Sequence, residues 1–368
     1  MQSKIEAKSR LSGVDLCRGI AAYAVVLVHS GDATWGRISY FSQEIEYLFS
    51  FAVPFFLAAS FYFMICKLNA DFSLTYWKAR CRRLLIPYMV WTVIYLIAKI
   101  IIFSALNQKE ELNHLLQNPF LIIFYGKASL QLYYLPLLLV GTSLIIFANY
   151  FAKPKIGLKI LASLSLLSLI LYNLLLITGN TVYLNNSIAF KNLFNLVNYD
   201  PSKNEFVRFI SIELAWLVRC LPYFFIAMTL RYLLLKTNFS LLRVKLVYAY
   251  LLLGLFIVAD VYRNPILTGF REVFLGYSFL LYGIVLSNYF KPNSVIKNLA
   301  LCSFGIYLIH QFGINIMEIF LKKTQPQLLE EVTFISQLAF SIPTFLMSWL
   351  AVFILMKNKR IAKYLFGV

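Results

Sequence analysis

Residues 18–29 read RGIAAYAVVLVH: an arginine and a histidine bracket ten uncharged residues apolar enough for a lipid bilayer. The chain has only three histidines, so one placed inside an apolar run demands a reason. Asp15 extends the pattern upstream, since Asp15, Arg18, Ala22, Val25 and His29 follow a 3,4,3,4 spacing. At 3.6 residues per turn these positions share one stripe of a helix, and Arg18 to His29 spans about 16 Å of rise. Ionisable groups at such depth face a cavity or the bundle interior, because exposing them to lipid is costly. A histidine bonded to a neighbouring helix for packing would look the same. Sharing a stripe with Asp15 and Arg18 favours a functional role.

The rest of the chain makes the bilayer reading general. Its 368 residues are 60% hydrophobic, 17% aromatic and 14% charged, against roughly 25% charged residues in soluble chains. Apolar stretches of spanning length recur at about 13–32, 46–66, 84–106, 132–152, 157–177, 207–230, 244–262, 267–288, 298–320 and 333–356. The expected fold class is an all-α polytopic membrane protein, a single bundle of about ten transmembrane helices. Residues 1–368 are expected to form one transmembrane domain with no appended extracytoplasmic domain. The first span lacks a small-residue cleavage site and reads as a retained helix, not a signal peptide. Residues 119–131 read as a shallow or re-entrant piece before the fourth span.

A net charge of +18 raises the possibility of nucleic acid, but the distribution argues against it. The cations gather beside the spans in alternate breaks, among them Lys4, Lys8, Arg10, Lys78, Arg80, Arg82, Arg83, Lys153, Lys155, Arg243 and Lys357. The opposite breaks are poorer in cations, which places both termini in the cytoplasm and the protein in the plasma (inner) membrane as a multi-pass chain. Five cysteines show neither paired nor metal-type spacing. No repeat of fixed period appears, which weakens a transporter built from duplicated halves.

A second cluster is Lys78, Arg80, Arg82 and Arg83, four cations within six residues, followed by Pro87. Arg80 and Arg83 lie one turn apart and are expected to point together into the bundle, where paired arginine forks suit phosphates. A basic cytoplasmic loop beside anionic lipid would also contain such residues. Towards the outer side stand Glu213, Asp260, Glu272 and Glu318 with Arg208, Arg219 and Arg271, which fit either a polar vestibule or structural ion pairs. His310 lies one turn from Tyr307 and reads slightly better as a packing histidine, while His114 falls in an outer loop. There is no phosphate-cradling glycine loop, no Gly-x-Ser-x-Gly elbow and no metal-type His/Cys spacing, so no metal is expected.

These residues together resemble the acyltransferase 3 family of membrane-bound O-acyltransferases. The N-terminal signature reads Asp15-Leu-Cys-Arg18-Gly19 through His29, with Arg-x10-His intact. Span two carries Val53-Pro54-Phe55-Phe56-Leu-Ala-Ala-Ser60-Phe61, and span three opens with Arg80, Arg83 and Pro87. Ile306 to His310 matches the Ile-Tyr-Leu-x-His pattern of span nine. The departures are Phe61 where the family has Gly, Gln131 for His and Tyr133 for Trp.

The resemblance implies transfer of an acyl group, commonly acetyl, from acetyl-CoA or another acyl-CoA to a hydroxyl of a cell-surface or secreted polysaccharide or glycolipid. It implies His29 as general base, or less favourably as acyl carrier, with Asp15 and Arg18 orienting it. Arg80 and Arg83, with Arg82 and Lys78, are then expected to hold the CoA phosphates, and Ser60, Tyr307 and His310 are further site candidates. Expected partners are membrane lipid, acyl-CoA, the glycan acceptor and envelope-polysaccharide assembly proteins, with no nucleic acid. The leading rival is a transporter or flippase for a lipid-linked sugar, whose pathway the same stripe would line. A third reading is a scaffold of an envelope-polysaccharide complex.

Overall fold

The computed structural model describes residues 10–30, 37–67, 74–116, 119–152, 156–179, 189–237, 245–291 and 293–368. Lys4, Lys8, Lys153, Lys155, Arg243 and the side chain of His114 lie outside the described residues. The first half of the chain runs α1 (Ser12–His29), β1 (Arg37–Ile38), α2 (Tyr40–Phe49), α3 (Ala52–Cys66), α4 (Leu74–Ala105), α5 (Lys109–Leu116), α6 (Pro119–Tyr125), α7 (Tyr134–Ser143) and α8 (Ile145–Phe151). There follow α9 (Leu158–Ile177), α10 (Lys191–Leu196), α11 (Glu205–Lys236), α12 (Leu246–Val261), α13 (Thr268–Leu286), α14 (Ser294–Thr324), α15 (Gln327–Glu330), β2 (Glu331–Val332), α16 (Phe334–Met356) and α17 (Lys359–Phe366).

Among the described residues, nine helical stretches are long and apolar enough to cross a membrane. The tenth expected span is α12, which has 16 residues. That is about 24 Å of helix, short of the roughly 30 Å hydrocarbon core. The expected second span is the end of a longer stretch, Tyr40–Cys66, broken between α2 and α3. The piece expected to be shallow is the seven-residue α6 followed by a 3₁₀ turn, Leu130–Tyr133.

Burial sorts the helices by role. On α4 the buried positions are Pro87, Tyr88, Trp91, Thr92 and Tyr95, one face at 3- and 4-residue spacing. Its other faces expose Leu85, Met89, Val93, Ile97 and Ile101, which suits a helix with lipid on one side. The first helix is the reverse case. It packs on α14, α13, α16 and α3, and Cys17, Ala21, Ala22, Ala24 and Val26 are fully covered. Small residues let neighbouring backbones come close, which is how membrane helices gain contact without a hydrophobic drive. At the tightest crossing a Cβ on Gly13 would run into the carbonyl oxygen of Gly283. A two-residue parallel bridge, Arg37 to Glu331 and Ile38 to Val332, ties the segment after α1 to the start of α16.

The Phe61 departure has its compensation across the interface. The ring is fully buried, stacks on Tyr223 with centroids 6.4 Å apart, and occupies space opposite Gly141. A Cβ on Gly141 would stand 2.8 Å from Phe61 Cζ and 2.7 Å from Cys220 Sγ. Gly141→Ala is therefore expected to destabilise the protein by about 1–3 kcal/mol through overpacking. The readout is a lower melting temperature in detergent, restored in part when Phe61→Leu is added, since the contact with Cys220 Sγ remains. A melting temperature equal to wild type in the single variant would contradict the packing described.

Candidate active site

His29 ends α1 half-buried, and its ring stacks against that of His310 with centroids 5.3 Å apart and planes 29° from parallel. His310 is fully buried in the middle of α14. Its Nδ1 lies 2.7 Å from the backbone oxygen of Tyr307. A carbonyl only accepts, so Nδ1 carries the hydrogen and Nε2 is left as an acceptor. Nε2 is buried and has no hydrogen-bond partner among the described residues.

From this pair a line of polar side chains leads towards the basic end of the bundle. The Tyr307 ring stands 6.1 Å from His310 and 5.5 Å, edge on, from Tyr134. Tyr307 donates its hydroxyl hydrogen to the backbone oxygen of Gln131. The hydroxyl of Tyr134 hydrogen-bonds Ser60. Both Arg18 and Arg80 count Tyr134 among their electrostatic neighbours. Arg80 is also hydrogen-bonded to Tyr76, while its buried Nε has no partner among the described residues. Six of the residues singled out in the sequence, His29, Arg18, Arg80, Ser60, Tyr307 and His310, thus belong to one track, with Tyr134 as its hub.

Tyr134 was not legible as a site residue. It follows a 3₁₀ turn, where no helical periodicity marks a face. What holds that turn in place is the Gln131 departure. Gln131 is buried, its Oε1 accepts from Ser129 at 2.6 Å, and its Nε2 donates to Leu308 O at 3.4 Å. Tyr95 donates to the same Leu308 oxygen at 2.7 Å. A neutral amide satisfies the turn from both sides, so this position serves as an anchor to α14.

Other expectations need adjusting. Asp15 is buried and forms its ion pair with Arg10, not Arg18. Arg18 instead lies over the Phe63 ring, 5.2 Å from its centroid, with Asp15 as a further neighbour. Arg80 alone of the second cluster turns inward; Lys78, Arg82 and Arg83 are exposed. Three residues of helix is 300° of rotation, so Arg83 points about 60° away from Arg80, enough to leave the bundle. On the other side, Arg219 pairs with Glu272 at 3.2 Å, and Tyr172 donates to the same carboxylate at 2.7 Å. Arg271 pairs with Asp260 at 2.5 Å, and Lys322 with Glu318 at 2.6 Å. Those three carboxylates are held in ion pairs with Arg219, Arg271 and Lys322. No group of three or more His, Cys, Asp or Glu suited to a metal ion occurs among the described residues.

The arrangement offers two imidazoles at one end of a polar track and, at the other, Arg18, about 16 Å of helix from His29, with Arg80 beside the same Tyr134. No curated protein and no solved structure matches the chain. A family model described as an acyltransferase domain does match, over residues 11–355, and so takes in every residue of the track. With its apolar helices and that match over nearly its whole length, the chain belongs to the acyltransferase 3 family and is a membrane acyltransferase.

Proposed function

We propose that the protein transfers an acyl group, acetyl in the simplest case, from acyl-CoA to a hydroxyl of a cell-surface or secreted polysaccharide or glycolipid. The observation that carries this reading is the meeting of His29 with His310 at the end of a track that begins at Arg18 and Arg80. Arg80 enters from the buried side of the donor site, with Arg83, Arg82 and Lys78 as its exposed rim, so the phosphates of CoA meet cations first. A buried guanidinium nitrogen without a partner suits an arriving phosphate oxygen. The pantetheine arm then extends along Tyr134 and Tyr307 towards His29. Both termini and the donor mouth face the cytoplasm of the inner membrane in this reading, and the acceptor comes from the opposite side.

Chemistry follows from a neutral imidazole near a hydroxyl. His29 takes the hydroxyl proton as the acceptor oxygen attacks the thioester carbonyl carbon. A C–O bond forms, the C–S bond breaks, and the proton passes from His29 to the thiolate, leaving an ester and free CoA. Arg18 and Asp15 hold the lower end of α1, Arg18 through Phe63 and Asp15 through Arg10. The decisive experiment is mass spectrometry of envelope glycans from cells with and without the gene. A mass difference of one acyl group on a glycan is expected. No difference, together with movement of a lipid-linked sugar in vesicles free of acyl donor, would favour the transporter reading instead.

A further inference from the structure

His310 holds its ring in one orientation, and one of its ring nitrogens has no hydrogen-bond partner among the described residues. Nδ1 is committed to the Tyr307 carbonyl at 2.7 Å. The remaining nitrogen, Nε2, is an acceptor in the neutral ring, buried and unpartnered among the described residues. Buried polar atoms are almost always satisfied in native structures, so an orphan beside a reactive group marks where something else is meant to donate. Its immediate ring neighbours are His29 at 5.3 Å and Tyr307 at 6.1 Å, both on the polar track. Tyr307 has already given its hydroxyl hydrogen to Gln131. Among the described residues, then, no donor is assigned to Nε2.

We propose that His310 Nε2 accepts a hydrogen bond from a second hydroxyl of the acyl acceptor, adjacent to the one deprotonated by His29. This inference rests on the acyl-transfer reading above and adds the substrate class to it. The two imidazoles stack within 29° of parallel with centroids 5.3 Å apart, close enough for two oxygens on neighbouring carbons to be met by one ring each. The site is thereby selective for a vicinal diol, as sugars and polyols present, over an isolated alcohol. A site that hydrogen-bonds a substrate hydroxyl discriminates strongly against an analogue lacking it, because its own buried acceptor is then left unpaired. His310 is in this role a positioning and specificity residue that touches substrate. The proton still moves through His29.

Two substitutions separate this role from its alternatives. His310→Asn keeps an amide N–H where Nδ1 donates to Tyr307 and removes Nε2. His310→Gln places an amide oxygen, an acceptor but not a base, near the Nε2 position. Both are assayed as full chains in membrane vesicles with acetyl-CoA and the glycan fraction from cells lacking the gene, with esters read by mass spectrometry. The expected result is an acceptor KM raised about 10- to 100-fold in His310→Asn, an unchanged donor KM, and recovery of most of that loss in His310→Gln. Wild-type kinetics in His310→Asn would overturn the inference and make the ring a packing element. Loss of kcat in both variants with acceptor KM unchanged would overturn it too, making His310 a base. A third arm uses the wild-type protein alone: glycans treated with periodate and borohydride, which cleaves vicinal diols, are expected to stop accepting acyl groups, and full acceptance after treatment overturns the diol requirement. If the wild-type protein acylates nothing, the acyl-transfer reading itself fails; if it does while His310→Asn behaves as wild type, only this inference fails.

Discussion

His29→Ala is expected to reduce acyl transfer by about 10²- to 10⁴-fold, the usual contribution of a positioned general base, with insertion and donor binding unchanged. The reason for a selective loss is the position of the ring. His29 is half-buried at the last turn of α1, whereas the helix is held lower down by Cys17, Ala21, Ala24 and the Gly13–Gly283 crossing. Trimming the ring to alanine leaves those contacts in place and creates room beside His310. The measurement is initial acylation rate together with the melting temperature of the purified variant, so that misfolding is not mistaken for lost chemistry. A folded His29→Ala protein that acylates at the wild-type rate would falsify the assignment. A polar substitute discriminates further: His29→Gln fills the space but takes up no proton, so the base role requires it to fail as His29→Ala does. A transport pathway would tolerate the glutamine.

Much of this layout is visible in the linear chain, and the physical reasons for the remainder differ from case to case. The spans announce themselves because a bilayer demands long uninterrupted apolar runs. The Asp15–Arg18–His29 stripe is visible because one helix carries it and 3.6 residues per turn determines its faces. The partner of His29 is not visible in the same way. His310 lies in another helix, 281 positions along, and only the packing of α1 on α14 brings the rings within 5.3 Å. Tyr134 escapes for a different reason: it is the first residue of α7, directly after a four-residue 3₁₀ turn too short to reveal a face. Asp15 takes a partner from the non-helical lead, Arg10, which helical spacing does not reach.

The arginine cluster gives the second large effect, and the structure ranks its members. Arg80→Ala is expected to raise the donor KM about 10- to 100-fold, because a hydrogen bond to a charged group contributes about 1.5–3 kcal/mol and each tenfold is about 1.4 kcal/mol. Arg80 is turned into the bundle beside Tyr134, with its Nε buried and unpartnered among the described residues. A phosphate there is met in a partly desolvated site where Coulomb attraction is weakly screened. Lys78, Arg82 and Arg83 are exposed, and exposed charge pairs contribute only about 0–1 kcal/mol each. Their alanine variants are expected to shift the donor KM by less than about 5-fold, and that shift should fade as salt is raised. Arg80→Lys should recover only part of the loss, since an ammonium keeps the charge but lacks the planar fork that grips two phosphate oxygens. CoA binding to the detergent-purified protein, followed by calorimetry across a salt series, reads all five variants on one scale. Equal losses for all four cations would mean that a diffuse field attracts the donor and that no single residue grips it. An unchanged affinity in Arg80→Ala would remove the donor from this mouth of the bundle altogether, and with it the reason for a polar track leading from Arg80 to His29.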